Sequence, residues 1–182
     1  MKYAIVYSSK TGNTRFLAES LSSHLKERDC ILCETRQANK VDADLYFVGF
    51  WTCRGECDKD TKHFLEMLKS KDVFLFGTSG FGESAAYYKK ILKRTQKYLN
   101  ASIKLVGSFM CQGKMPIQIR KKYEKKLNSI FYRMYAKRMV KNYDNALGHP
   151  NQQDLKQFFS EIENTLPGLD SCGQVTESKD SK

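Results

Sequence analysis

The sequence predicts a single α/β domain built on an open parallel sheet with helices on both faces. Its clearest strands, Leu45–Phe50 and Val73–Phe76, are continuous apolar runs, which is typical of strands buried on both sides. Segments with apolar residues at every third or fourth position, such as Leu17, Leu21 and Leu25, follow or separate these runs and predict helices. A chain of 182 residues has the length of one ordinary domain and can bury a core without disulfides.

Each element is predicted from its local pattern. Five parallel strands are expected in the order 2-1-3-4-5, and they are predicted at residues 3–7, 30–35, 45–50, 73–76 and 103–110. Helices are predicted around Leu17–Leu25, around Phe64–Leu68, and over 84–99, 117–141 and 154–166. The domain thus spans residues 1–166, with a basic helical insertion at 113–150, and the polar tail 167–182 is expected to be disordered.

Basic residues are concentrated in two segments of a chain whose formal net charge is +11. Residues 84–100 carry five Lys or Arg and no acid, whereas residues 114–141 carry ten and a single acid, Glu124. The second segment also has an apolar strip, which we expect to pack on the sheet beneath a solvated basic face. This strip consists of Tyr123, Leu127, Ile130, Phe131, Met134 and Tyr135.

The cysteines and the chain start indicate a cytoplasmic protein. The first residues lack the features of a secretory signal, no apolar run has the length of a membrane span, and six cysteines are then expected to be reduced thiols. Cys30 and Cys33 have redox spacing, but in a strand they face opposite sides. Cys53, Cys57 and Cys111 follow strands at one edge, yet three ligands with irregular spacing predict no metal site.

The segment Ser9–Thr14 joins the first buried strand to an amphipathic helix and predicts a phosphate-binding loop. Hydroxyls come from Ser9, Thr11 and Thr14, and the first turn of the helix adds free N–H groups. Gly12 allows positive φ and close approach of the ligand. The nucleoside-triphosphatase loop requires Gly-Lys, and Gly12 is followed by Asn13.

The sequence resembles the flavodoxin family in three loops, and the resemblance covers roughly residues 1–112 and the last helix. Ser9–Thr14 matches the family's phosphate loop for flavin mononucleotide (FMN). Gly49–Thr52 falls where the loop after the third strand lies against the flavin, and Gly77–Glu83 matches the Gly-rich loop after the fourth. The sequence is most similar to short flavodoxin-like proteins of anaerobic bacteria, one of which accompanies a bilirubin reductase.

The resemblance implies an FMN site without catalytic residues, in which the protein holds the flavin and sets the relative stability of its redox states. We expect Trp51 to contact the flavin ring, weigh ring contact and core packing equally for Phe81, and keep Tyr87 or Tyr88 in reserve. A glycine beside the flavin N5 would be Gly55 or Gly80. The cofactor-binding residues are expected to be Ser9, Lys10, Thr11, Gly12, Asn13, Thr14, Phe50, Trp51, Thr52, Gly55, Thr78, Ser79, Gly80, Phe81 and Gly82.

The implied function is electron transport, as a carrier that shuttles electrons to or from a partner oxidoreductase. The alternatives are an NAD(P)H-dependent FMN quinone or flavin reductase and, ranked lower, a flavin-free basic binding module. This chain is basic where the family is typically acidic, so we expect a partner with an acidic docking surface and rank membrane or nucleic-acid contact well behind. The same charge predicts a less negative potential for forming the reduced, anionic flavin.

Overall fold

The computed structural model describes residues 2–25, 30–82 and 84–167. Strands and helices alternate along most of the chain, as predicted. The strands are β1 (Tyr3–Tyr7), β2 (Cys30–Glu34), β3 (Leu45–Cys53), β4 (Glu56–Cys57), β5 (Asp72–Ser79) and β6 (Lys104–Gln112). The α-helices are α1 (Asn13–His24), α2 (Lys59–Met67), α3 (Ala85–Thr95), α4 (Ile117–Glu124), α5 (Arg133–Ala146) and α6 (Gln152–Thr165), and 3₁₀ turns cover Thr35–Lys40 and Gln96–Tyr98.

The sheet has the predicted topology. Its strands run β2-β1-β3-β5-β6, all parallel, and the short β4 pairs antiparallel with the end of β3. Counted over the parallel strands alone, this is the order 2-1-3-4-5. The strand order reverses between β1 and β3, so their carboxyl ends frame the crevice where ligands bind in doubly wound sheets.

Two layers of helices cover the sheet, because its central strands are apolar on both faces. On one face α1 and α6 pack through Leu17, Leu21 and Phe158 onto side chains such as Ile5 and Phe47. On the other face α2 and α3 bring a second cluster that includes Phe64 and Ile91. Cys30 packs against the first cluster and Cys33 against the second, which confirms that the two thiols face opposite sides of the edge strand.

The basic insertion departs from the prediction of one helix over 117–141. The structure has two helices, α4 and α5, separated by turns in which Lys126, Leu127 and Ser129 donate backbone hydrogen bonds to carbonyls three residues back. Asn128 and Ser129 favour such turns because their short polar side chains compete for backbone hydrogen bonds. The insertion ends at a cis His149–Pro150 bond, after which α6 begins with a capping box formed by Asn151 and Asp154.

The expected packing of the apolar strip on the sheet is also wrong. Ile130 is 91% exposed, Phe131 is 93% exposed and Met134 is 79% exposed. The break after α4 rotates these residues out of the helical phase that would have carried them to the core. The buried face of α5 consists of other residues, namely Ala136, Met139, Asn142, Tyr143 and Ala146.

None of the helices in the described part of the chain combines the length and the hydrophobicity that spanning a bilayer requires. The predicted disordered tail falls outside the described residues from residue 168 onward, and Glu83 of the Gly-rich loop also lies outside them.

Candidate functional site

The carboxyl ends of β1, β3 and β5 bring the three predicted loops to one edge of the sheet. Tyr7 pairs with Gly49, and Trp51 pairs with Thr78, so the residues that follow each strand lie side by side. They surround a cavity of about 590 Å³, which is within the usual range for small-molecule sites. The predicted site residues that line it are Lys10, Thr11, Asn13, Trp51, Thr52, Gly55, Thr78, Ser79, Gly80 and Phe81.

The loop between β1 and α1 presents backbone donors to this edge. Gly12 is the residue before α1 and has φ of +84°, a conformation that side-chain-bearing residues rarely adopt. The N–H groups of Asn13 and Thr14 lie in the first turn, where no carbonyl one turn earlier can accept them. The Ser9 Oγ accepts a hydrogen bond from the Arg15 N–H at 3.2 Å, which leaves the Ser9 hydroxyl proton free to donate.

Asn13 fixes this loop to the end of β6. Its Nδ2 donates to Thr11 Oγ1 at 2.9 Å and to the Lys114 carbonyl at 2.8 Å. The close approach requires a glycine beside it, because a Cβ on Gly113 would stand 2.6 Å from the same Nδ2. The N–H of Gly113 in turn donates to the Ser79 carbonyl at 2.9 Å, so the exits of β5 and β6 are tied together behind the loop.

Thr14 and Thr78 connect the loop to the sheet beneath the cavity. Their hydroxyl oxygens lie 3.0 Å apart, and Thr14 Oγ1 also donates to the Phe50 carbonyl at 3.2 Å. Both threonines are buried. The Thr14 hydroxyl therefore connects α1 to the ends of two strands, β3 and β5, and Thr14 is not among the lining residues of the cavity.

The side chain of Phe50 lies in the core. Its side chain is fully buried and packs on Gly77, where an added Cβ would stand 2.7 Å from the Phe50 ring. Side chains alternate between the two faces of a strand, so Phe50 and its neighbour Trp51 point in different directions. Phe50 contributes its backbone carbonyl to this edge of the sheet.

Three aromatic side chains, those of Trp51, Phe81 and Tyr87, line the cavity. Trp51 lies at the end of β3, and the Lys10 ammonium stands 5.0 Å from the centre of its ring. Phe81 and Tyr87 come from the loop and helix after β5 and meet edge to face, with ring centres 6.2 Å apart. Tyr88 is not among the lining residues; burial raises the pKa of its hydroxyl.

The loop after β3 is a tight hairpin. Cys53 pairs with Glu56, which leaves Arg54 and Gly55 as a two-residue turn with φ of +53° and +86°. Two successive positive φ values are the signature of a type I′ turn. Arg54 therefore reaches the cavity lining, and the Arg94 Nη1 approaches the Gly55 carbonyl at 3.5 Å from α3.

The Gly-rich loop after β5 is held by two buried amides. Asn142 Nδ2 donates to the Gly80 carbonyl at 2.9 Å, and Gln112 Nε2 donates to the same carbonyl at 3.1 Å. The Gly82 N–H approaches Asn142 Oδ1 at 3.4 Å, so Gly82 faces this amide pair rather than the cavity. The insertion therefore determines the shape of a site loop through α5.

The charge and polarity of the lining suit an anionic, polar ligand. Lys10, Arg54 and Lys114 contribute cations, and no Asp or Glu is found among the described lining residues. Thr52 Oγ1 is buried and has no hydrogen-bond partner within the described structure. A buried hydroxyl without a partner is costly, so this atom fits a ligand that brings its own donor or acceptor.

The cysteines near this edge are poorly suited to redox or metal chemistry. Burial raises the pKa of the Cys57 thiol to about 12, and burial likewise raises that of Cys111 well above its ordinary value. Both thiols stay protonated at neutral pH, and the thiolate is the nucleophile and metal ligand. No group of three or more His, Cys, Asp or Glu side chains with metal-binding geometry occurs among residues 2–25, 30–82 and 84–167.

Arg54 and four further lining residues were not predicted from the sequence. The four residues lie after β6, at the start of the insertion, and are Lys114, Met115, Pro116 and Ile119. Their position directly after a parallel strand was the available signal, since ligands bind at the carboxyl ends of such strands.

A doubly wound α/β domain with a polar, aromatic cavity at the β1/β3 crevice is the architecture of proteins that bind a nucleotide-like ligand. A family model described as a flavodoxin domain matches residues 4–163, and the chain therefore belongs to the flavodoxin family.

Two curated relatives cover nearly the whole chain. A flavodoxin-like domain-containing protein BilS of Clostridium symbiosum (strain WAL-14163) is 38% identical over 184 aligned positions, which span 92% of this chain and 97% of the relative. A protein of the same name from Clostridioides difficile (strain CD3) is 29% identical over 163 positions, and the alignment spans 85% of this chain and 90% of the relative.

Solved structures of similar proteins were also found. A flavoprotein of Lactobacillus acidophilus NCFM in complex with FMN is 21% identical, with a TM-score of 0.49. The superposition spans 60% of this chain and 92% of the flavoprotein chain. A flavodoxin of Streptococcus pneumonia TIGR4 is 15% identical, with a TM-score of 0.46. The superposition spans 80% of this chain and 99% of the flavodoxin chain.

Proposed function

We propose that this protein binds FMN and carries electrons to or from a partner oxidoreductase. The observation that carries the proposal is the meeting of three segments that are distant in sequence, 10–11, 51–55 and 80–81, around one cavity of about 590 Å³. Membership of the flavodoxin family supports the same ligand. Loops that are distant in sequence and converge on a polar, aromatic cavity favour a ligand site over a set of ordinary turns.

The loop before α1 would hold the phosphate. The Asn13 and Thr14 N–H groups lie in the first turn of the helix, where the helix dipole favours negative charge. The Ser9 and Thr11 hydroxyls add donors. Lys10 and Lys114 supply cations around the cavity. Asn13 holds the loop in place through the Lys114 carbonyl, so the donors are positioned before the ligand arrives.

The aromatic residues and the Gly-rich loop would hold the isoalloxazine ring. Trp51 would stack on one face, and Phe81 with Tyr87 would contact the other side. The backbone of residues 77–82 and the Thr52 hydroxyl would bond the polar edge of the ring, and Gly55 or Gly80 would lie near its N5. When bound, FMN supplies one- and two-electron chemistry, and the protein contributes binding, orientation and charge.

The partner is proposed to be an oxidoreductase with an acidic docking surface. The positive charge of residues 84–100 and 114–141 would steer such a surface toward the cavity. The group that the sequence resembles includes a protein that accompanies a bilirubin reductase, and the curated relatives carry the name BilS. We therefore propose a bilirubin reductase as the partner. We also propose a cytoplasmic location, a reducing compartment in which the buried thiols of Cys57 and Cys111 would stay reduced.

The test is the absorption spectrum of the purified full chain before and after addition of FMN, followed by anaerobic titration with dithionite. We expect a yellow complex that binds FMN far more tightly than riboflavin, because the loop before α1 recognises the phosphate. Equal affinity for riboflavin would contradict the phosphate assignment. Bleaching by NAD(P)H without a partner would instead identify a flavin reductase, and a colourless protein that binds nucleic acid would identify a basic binding module.

A further inference from the structure

The tip of the α4–α5 hairpin, residues 125–135, exposes an unusual cluster of large apolar side chains. Ile130 and Phe131 are almost fully exposed, Met134 is largely exposed, and Tyr132 and Tyr135 are half exposed. Contiguous exposed apolar surface of this kind marks interaction sites in soluble proteins. The core of the domain does not use these residues, so their surface is available to a partner.

A groove of about 790 Å³ lies beside this tip. Leu127, Ile130 and Val140 form its apolar part, and Arg133, Lys137 and Lys141 surround them. An apolar floor with a cationic rim fits a segment that presents one apolar side chain between carboxylates. A concave groove suits such a segment better than it suits the flat surface of a bilayer.

The charge of the hairpin selects among possible occupants. Asp144 is the one acid among the described residues that line the groove, and its carboxylate forms an ion pair with Arg120 Nε at 3.3 Å. The three cations Arg133, Lys137 and Lys141 outnumber it, so the rim of the groove is positive. A second copy of the chain would bring the same positive surface against itself, which like-charge repulsion disfavours. The tip also carries the residue types that are enriched in protein interfaces, namely aromatic residues, Met and Arg.

The hairpin is continuous with the candidate cavity. Ile119 of α4 lines that cavity, and Asn142 of α5 holds the Gly80 carbonyl. We propose that the hairpin tip and its groove dock an acidic segment of the redox partner, with an apolar side chain beside Ile130 and carboxylates on Lys137 and Lys141. That the partner is a redox protein rests on the proposed function, whereas the binding chemistry rests on the groove alone.

The test is fluorescence anisotropy of a fluorescein-labelled synthetic peptide in which a central Leu-Phe-Leu is flanked by runs of Glu. The FMN-saturated full chain should bind this peptide in low salt, and added salt should weaken the binding. Ile130→Ser and Lys137→Glu should each weaken it by about tenfold. The matched controls are Ile31→Ser on the edge strand and Lys69→Glu after α2, which should leave it unchanged because both residues are exposed outside the hairpin.

Three results would overturn the proposal: no binding to the unsubstituted protein, equal binding by Ile130→Ser, or equal binding of a peptide with Ser in place of the central apolar residues. Binding to phosphatidylglycerol vesicles that is lost in Ile130→Ser, without peptide binding, would assign the tip to a membrane and also overturn it. FMN affinity is measured on every variant. Peptide binding by a chain that binds no FMN would uphold the docking site and refute the electron carrier.

Discussion

Asn142, in the basic insertion, donates a hydrogen bond from its Nδ2 to the carbonyl of Gly80, 62 residues earlier, at 2.9 Å. The same carbonyl accepts a second bond from Gln112, and Asn142 Oδ1 in turn accepts from Gln112 Nε2 at 3.2 Å. Both amides are buried, where a satisfied polar network fixes one arrangement of the chain. The insertion is therefore part of the site's framework as well as a candidate docking surface.

Replacement of Asn142 by Ala should loosen the Gly-rich loop. The substitution removes a donor to Gly80 and an acceptor for Gln112 and leaves buried polar groups unpaired, which costs about 1–3 kcal/mol of the free energy of unfolding. FMN affinity should fall as well, because residues 80–82 would no longer be held in one conformation. Urea unfolding and fluorescence titration with FMN measure the two effects.

Asn145→Ala is the matched control, since Asn145 lies in the same helix and is exposed. It should change neither quantity appreciably. An Asn142→Ala protein that binds FMN as tightly as the unsubstituted chain would show that the loop needs no anchor from the insertion.

The strands could be predicted because each central one is a continuous apolar run, and such a run has few alternatives in a small α/β domain. The hairpin could not. Ile130, Phe131 and Met134 keep approximately helical spacing with Leu127, but spacing reports only which residues share a face and says nothing about what covers that face. The turn at Asn128 and Ser129 breaks the phase, and the outcome depends on tertiary packing that no local pattern records.

The candidate site likewise has a part that the sequence predicts and a part that depends on tertiary packing. Ser9–Thr14 is a local motif, so its placement at the cavity followed from the strand before it and the helix after it. The contribution of Lys114 and Ile119 depends on where β6 ends relative to β1, and the Gln112–Asn142 pair joins residues 30 apart. The burial of the Phe50 side chain was likewise not predictable, because the position of a residue in a motif does not state which face of a strand its side chain occupies.

Gly113→Ala should disturb the phosphate loop from a distance. The new Cβ would stand 2.6 Å from Asn13 Nδ2 and displace the amide that bonds Thr11 and the Lys114 carbonyl. Overpacking of this kind costs about 1–3 kcal/mol, and FMN should bind more weakly. Gly148→Ala is the control, because nothing lies within 4 Å of a Cβ there. If both variants titrate alike, the contact of Gly113 with Asn13 has no role in the site.

Trp51 is the single tryptophan of the chain, so its emission reports directly on the cavity. FMN should quench this emission on binding, with the same midpoint as the quenching of flavin fluorescence. Trp51→Ala should weaken FMN affinity by about tenfold, since base-like stacking on an aromatic ring is worth about 1–3 kcal/mol, whereas Trp51→Phe should retain most of it. An unchanged affinity in Trp51→Ala would exclude ring contact at this position.

Alkaline pH should unfold the protein partly through Cys57. Burial raises the pKa of its thiol from an ordinary value of 9.0 to about 12, so the folded state retains a proton that the unfolded state loses between these values. The contribution to stability is complete below pH 9 and is lost as the pH rises toward 12, with a slope of up to about 1.4 kcal/mol per pH unit. Urea unfolding in anaerobic buffers should therefore show a shallower decline for Cys57→Ala than for the unsubstituted chain, and equal slopes would remove Cys57 as the cause.

The cations around the cavity should make the potential for forming reduced, anionic FMN less negative than in acidic flavodoxins. Lys114 is the side chain to change, because Asn13 bonds its backbone carbonyl and a Gln there keeps that contact. Lys114→Gln removes one positive charge from the cavity lining, so spectroelectrochemical titration should give a more negative potential, with a smaller difference at high salt. Lys69→Gln removes an exposed charge shortly before the amino end of β5, away from the carboxyl ends of the strands, and should leave the potential unchanged. A potential that is unchanged or less negative in Lys114→Gln would show that the local basic charge does not stabilise the reduced flavin.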